Sequence, residues 1–287
     1  MGGLDMQARM NVGKLPPVRL ITGLALALLM IASYAAPVAA RGDSDQDQDG
    51  RHPTLFATGN VGNELLAIDV KSGTTALVGF TGKPGCLALA ITPDGKAAYT
   101  VAKSQGPNAQ LAKIDLATGT TTLVGSPALG SLKIMGMTFS PDGVLYAAGS
   151  FDPTLATFNS LYAIDLSSGS ASRVASFYVG HMKSDFIMSF AWDSDGNLYG
   201  ASMMSLYRID LSQISNAATK VVDFVGSSNV MGIAIGKDDR FYAADFVGSP
   251  AMSTIYGLDV ETGILTPLFN TGIPFVHNIA FEVGGDD

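Results

Sequence analysis

The segment ELLAIDVKSGTTALVG (64–79) recurs as QLAKIDLATGTTTLVG (110–125) and SLYAIDLSSGSASRVA (160–175), with weaker copies SLYRIDLSQISNAATKVVDF (205–224) and TIYGLDVETGILTPLF (254–269). Their shared aspartates, Asp69, Asp115, Asp165, Asp210 and Asp259, recur every 45–50 residues, a period that belongs to repeat architectures. A second set lies between them: CLALAITPDGKAAYT (86–100), MGMTFSPDGVLYAA (135–148), MSFAWDSDGNLYGA (188–201) and MGIAIGKDDRFYAA (231–244). Each period holds four short apolar-alternating runs separated by turn signals, the pattern of the four strands of a propeller blade. A fifth copy of the second set, HNIAFEVGG (277–285), breaks off half-way, and its missing half, TLFATG (54–59), opens the repeats. The chain therefore reads as all-β: a five-bladed β-propeller of four antiparallel strands per blade. Its ring is closed by the C-terminal strand pairing with the N-terminal blade.

The turns agree. Pro93-Asp94-Gly95, Pro141-Asp142-Gly143 and Asp195-Gly196 are tight turns between first and second strands. Asp69…Gly73, Asp115…Gly119, Asp165…Gly169 and Asp259…Gly263 mark the turn from third to fourth strand, where Asp accepts backbone N–H bonds and Gly supplies positive φ. Five aspartates at one position suggest a carboxylate ring, but a place beside a turn points to capping. The fourth copy lacks the glycine (Leu211-Ser212-Gln213-Ile214), so its turn is expected to be longer and irregular.

The composition fits 287 residues in one large β domain: 47% apolar, 15% charged, 33 Gly and 13 Pro. A single cysteine, Cys86, excludes an intramolecular disulfide framework. Ahead of the repeats stand two segments. Arg9, Lys14 and Arg19 precede an apolar run, Leu20–Ala40, that ends in Val38-Ala39-Ala40, the pattern of a secretory leader over 1–40. An uncleaved anchor is the alternative, since the run is long enough to span a bilayer. Residues 41–53, RGDSDQDQDGRHP, read as a solvated acidic linker, and 54–287 as the propeller. Removing 1–40 takes away three basic residues and one acidic residue, moving the net charge from −8 to −10. Such a surface repels nucleic acid and anionic lipid. The expected product is secreted or periplasmic, monomeric and without a membrane span.

The pairing of SPDG-x-LY with LY-x-ID-x-x-[ST]G, as in Ser140–Tyr146 and Leu161–Gly169, resembles bacterial secreted propellers with YVTN-, NHL- and gluconolactonase-type repeats. The resemblance covers 54–285 and implies a fold rather than an activity. LYAIDLSSG also resembles quinoprotein repeats, but those carry a tryptophan toward the end of each blade. Here the single Trp192 lies in a first strand, which is also the wrong strand for a WD signature.

Propellers place function at one mouth of the central channel. Aligned first strands put Leu87, Met135, Met188, Met231 and His277 in one column, and Ala88, Gly136, Ser189, Gly232 and Asn278 in the next. The methionines read as packing, with a soft-metal Met/His site as the alternative. Five-fold repetition breaks at His277-Asn278, so the ligand-binding candidates are His181, Asp185, Asn229, Asp245, His277 and Asn278. Asp185, Asp245 and His277 are the candidate catalytic groups. There is no G-x-S-x-G elbow and no phosphate-binding Gly-Lys loop, and no metal site is assigned. The leading expectation is an exported module that binds a protein or small molecule at this mouth. The alternative is a lactonase-like or glycosidase-like hydrolase using Asp185, Asn229, Asp245 and Asn278, with calcium as the one cofactor it would call on.

Overall fold

The computed structural model describes residues 54–59, 63–104, 106–150, 160–177, 186–247 and 250–282. The leader and the acidic segment expected from the sequence lie outside them. The described residues form twenty strands in five four-stranded sheets, the five-bladed propeller that the repeats predict. The first blade has the spatial order β20 (Val276–Phe281), β1 (Thr54–Gly59), β2 (Glu64–Asp69), β3 (Thr74–Phe80). The second runs β4 (Ala90–Ile91), β5 (Ala98–Ala102), β6 (Gln110–Ile114), β7 (Thr121–Leu123), and the third β8 (Lys133–Phe139), β9 (Leu145–Ser150), β10 (Ser160–Ile164), β11 (Ala171–Ser176). The fourth is β12 (Ser189–Trp192), β13 (Leu198–Ala201), β14 (Ser205–Ile209), β15 (Ala218–Asp223). The fifth is β16 (Val230–Ile235), β17 (Phe241–Asp245), β18 (Thr254–Leu258), β19 (Leu265–Asn270).

The inner strands close a ring: β20 packs on β4 and β16, β16 on β12, β12 on β8, and β8 on β4. Closure depends on β20 pairing antiparallel with β1, with Leu55 opposite Phe281 and Thr58 opposite Asn278. The core is correspondingly divided. Five large clusters of buried side chains lie one at each blade interface, as between Leu55, Ile68 and Val276 of the first blade and Ala244 and Ile255 of the fifth.

Second-strand tyrosines lock adjacent blades together. Tyr99 meets Phe139 edge-on at 5.6 Å, Tyr146 meets Trp192 at 6.3 Å, Tyr199 meets Phe241 at 5.0 Å and Tyr242 meets Phe281 at 5.2 Å. Trp192 thus stands where neighbouring inner strands carry Phe139 and Phe281, and its ring serves blade packing.

The repeated aspartates cap turns. Oδ1 of Asp69 accepts the N–H groups of Lys71 and Ser72, and Asp115, Asp165 and Asp259 repeat the pattern. Gly73, Gly119, Gly169 and Gly263, at φ between 71° and 75°, bond back to the aspartate carbonyls. In the fourth blade Asn216 takes the positive φ instead, and the longer loop reaches the third blade, where Ile214 accepts the Ser176 N–H at 3.0 Å.

Candidate functional site

One mouth of the channel collects the starts of inner strands, the ends of second strands and the starts of third strands. There the ladder is irregular in a repeated way. In β8 Ile134 faces Gly149 while Gly136 faces Ala148, leaving Met135 as an extra residue. In β16 the extra residue is Met231, between Val230 opposite Asp245 and Gly232 opposite Ala244. In β20 it is His277, between Val276 opposite Gly59 and Asn278 opposite Thr58. Met188 bonds through its N–H to Ala201, the residue that also faces Ser189. Such bulges re-aim a side chain and are common beside sites.

The result is a methionine- and phenylalanine-rich rim. Phe186, Met188 and Met231 are buried together, with Met135, Met203 and Phe246 packed partly exposed against them. Phe246 stacks at a tilt on Phe275 at 5.0 Å and meets the His277 ring edge-on at 5.9 Å. Phe275 holds φ at 59°, a left-handed conformation that costs a bulky residue energy and here keeps its ring at the rim.

Below the rim Asn278 bonds across the ring. Asn278 is fully buried; its Oδ1 accepts the Ser189 hydroxyl at 3.2 Å, and its Nδ2 donates to the carbonyls of Met135 and Met188 at 3.4 and 3.5 Å. One side chain of β20 thereby reaches β8 and β12 across the ring. Small neighbours permit this: a Cβ on Gly136 would stand 2.4 Å from the Met188 carbonyl oxygen. Beyond Asn278 lies a cavity of about 120 Å³ lined by all five inner strands, mostly with aliphatic and aromatic groups.

The sequence candidates fare differently. His181 and Asp185 lie outside the described residues. Asn229 is half-buried and donates through Nδ2 to the Phe246 carbonyl, while its own carbonyl accepts the Phe246 N–H at 2.9 Å. Asp245 is buried, with Oδ1 accepting the Thr254 N–H at 2.7 Å and Oδ2 accepting the Tyr256 hydroxyl at 2.8 Å. Burial, and secondarily that carboxylate, push the Tyr256 phenol up. His277 is only 2% exposed, and burial holds its pKa down at about 4. A bond to the Leu87 backbone, which favours the protonated ring as a carbonyl acceptor does, offsets part of that effect. Among the described residues its Nδ1 has no hydrogen-bond partner.

The arrangement bears on calcium. Hard cations need several free oxygens, and those of Asp245 and Asn278 already accept protein hydrogen bonds. Among the described residues no three His, Cys, Asp or Glu side chains converge. Sequence reasoning named His277 and Asn278 from the break in repetition. It did not find Phe275, whose positive φ has no sequence signature, nor Met203, which belongs to no repeated column.

No protein-family model and no curated protein matches the chain. Solved structures that resemble it are β-propellers. The one in the nidogen/laminin complex is 11% identical, with a TM-score of 0.51, over 80% of this chain and 98% of that one. TolB from Acinetobacter baumannii is 20% identical with a TM-score of 0.46, over 76% of this chain and 52% of that one, so the match spans about half of TolB. Virginiamycin B lyase from Staphylococcus aureus is 17% identical with a TM-score of 0.41, over 75% and 65% of the two chains. At such identities the likeness is one of fold.

Proposed function

We propose that this propeller is an exported binding module that takes a protein or small molecule at the rim built by Met135, Met203, Phe246 and Phe275. The observation that carries the reading is the rim itself: a contiguous thioether and aromatic surface, aimed by strand bulges and by a strained phenylalanine, above the buried Asn278 that bonds across the ring. Apolar side chains left half-exposed at this end of the ring suit recognition, since covering them removes apolar area from water. Export is supported by the basic-then-apolar leader ending in small residues. Among the described residues no observation favours the hydrolase alternative: the oxygens of Asp245 and the amide of Asn278 are engaged by neighbouring protein groups.

The test is recovery of a bound species after export. The tagged chain is cross-linked in place and purified as wild type, Phe275→Asn, Phe246→Ala and, as a control on β19, Leu268→Ala. Asparagine tolerates the left-handed backbone at 275, so that variant removes the ring while keeping the turn. A species recovered with wild type and Leu268→Ala but lost from both rim variants is the expected result. Equal recovery from all four, or none with wild type, overturns the reading.

A further inference from the structure

The fourth blade departs from the repeat at several positions that line one cavity, at the ends of its strands opposite the rim. Trp192 stands where the other inner strands have Ile91, Phe139, Ile235 and Phe281. Arg208 stands where the other third strands have Ala67, Lys113, Ala163 and Gly257. The turn after Asp210 is the one that lacks its glycine. With Asn197, Ser212 and Thr219 these residues line about 670 Å³, within the roughly 300–1,000 Å³ of small-molecule sites.

The polar groups of this cavity fix one another. Asn197 donates its N–H and Nδ2 to the two oxygens of Asp193 at 2.7 and 2.8 Å, and its Oδ1 accepts from Nη2 of Arg208. Among the described residues that is the one hydrogen bond of Arg208, so most of the donors of an exposed guanidinium are left to water or a ligand. Oδ1 of Asp210 accepts the Ser212 N–H at 2.9 Å and hydroxyl at 2.7 Å, and that hydroxyl holds the carboxyl below its usual range. Thr219, exposed, lies opposite Arg208 in the ladder.

We propose that this cavity binds a neutral sugar, a pyranose whose C–H face packs on the wall that holds Trp192 and whose hydroxyls bond to Arg208, Asp210, Ser212 and Thr219. The formal charges of the lining, Arg208 and Asp210, cancel, so it favours neither an anion nor a cation. The acidic surface of the exported chain further disfavours anionic sugars. A sugar hydroxyl both donates and accepts, and the lining offers both: guanidinium N–H donors, carboxylate acceptors, and hydroxyls that do either. The indole adds a large apolar body beside them, extended by Leu211 and Val221. The site is separate from the rim and stands without the reading of the rim.

Trp192 is the chain's single tryptophan, so intrinsic emission reports on this wall. The experiment titrates the exported protein with glucose, galactose, mannose and N-acetylglucosamine, and with cellobiose, maltose and chitobiose. Glycerol is the solvent control, and glucuronate and acetate are the anionic probes. At least one neutral sugar is expected to shift the emission saturably and to show saturation transfer to its ring C–H protons by NMR, a readout that needs no variant. Arg208→Ala, at an exposed side chain, should weaken that sugar by at least about tenfold, since hydrogen bonds to charged groups each carry roughly a decade of affinity or more. Thr219→Val should weaken it as well, and Phe275→Asn should bind as wild type does. Tighter binding of a disaccharide than of its monosaccharide supports a glycan chain as the source, and equal binding supports a free sugar. No saturable shift and no saturation transfer with any of these sugars would overturn the proposal. Undiminished affinity in both Arg208→Ala and Thr219→Val, or loss of the sugar from Phe275→Asn, would do the same. So would glucuronate or acetate bound in preference to the neutral sugars, which would make Arg208 a carboxylate site.

Discussion

At residue scale, His277 is the group whose chemistry departs most from its ordinary range. Its folded pKa, about 4, lies below the unfolded value of about 6.5. As pH falls through this window the unfolded chain binds a proton that the folded chain refuses, so stability present above pH 6.5 drains away toward pH 4. The shift corresponds to about 3 kcal/mol at most. Denaturant melts of wild type and His277→Gln between pH 7 and pH 4 should show the variant with a shallower loss. Gly136 makes a second residue-scale demand. It needs no special φ, only absence of a Cβ beside the Met188 carbonyl. Gly136→Ala should destabilise by about 1–3 kcal/mol, as overpacking does, measurable by the same melts. Asp165 acts differently: the Ser167 hydroxyl and the amides of its turn hold its carboxyl down at about 2, so the cap persists well into acid.

At the scale of elements, an inner strand serves two ends. Its start carries the bulge that turns Met135, Met231 or His277 toward the rim, and its end carries the residue that packs the next blade. Trp192 belongs to the second task, at the interface that also holds Tyr146, Ile187 and Tyr207. Trp192→Ala should cost about 3–5 kcal/mol, the range for deleting a large aromatic from a core, and lower the midpoint of thermal unfolding followed by circular dichroism. Because Trp192 lies at the channel end opposite the rim, Trp192→Phe is expected to leave binding at the rim unchanged. If it abolished binding, the assignment of ends would be wrong.

At the scale of the molecule, stability follows from closure. Each blade buries its faces only against its neighbours, so an open array loses one interface and exposes two blade faces at once. Removing everything after Phe275 takes β20 from the first blade and from its packing on β4 and β16. That truncation is expected to abolish cooperative unfolding, which calorimetry would register as loss of the transition. A permutant is the complement. Glu282 donates its N–H to the Thr54 carbonyl at 2.9 Å, so a short turn can join these ends. Opening the chain instead between Pro141 and Gly143 moves the closing seam to the third blade. That permutant should fold and keep rim binding.

The repeats were enough to number the blades, place four strands in each and show which terminal strand closes the ring. Strand alternation and turn chemistry are local, and every copy repeats the same local rule. The aspartate caps, the small-residue level at Gly136 and Gly232 and the exception at His277-Asn278 were legible for the same reason. The site was legible only in part. Periodicity puts Asp245 and Asn229 at the mouth, but their hydrogen bonds to Tyr256, Thr254 and Phe246 depend on how neighbouring strands lie in three dimensions. The bulges, the left-handed Phe275 and the bridge from Asn278 to Met135 and Met188 arise from fitting five twisted sheets around one narrow axis. The sequence by itself determined the architecture, because the fold is a sum of local rules applied five times. The tertiary structure decided which polar side chains are spent on holding the ring and which apolar ones line the rim, because that depends on contacts between blades far apart in the chain.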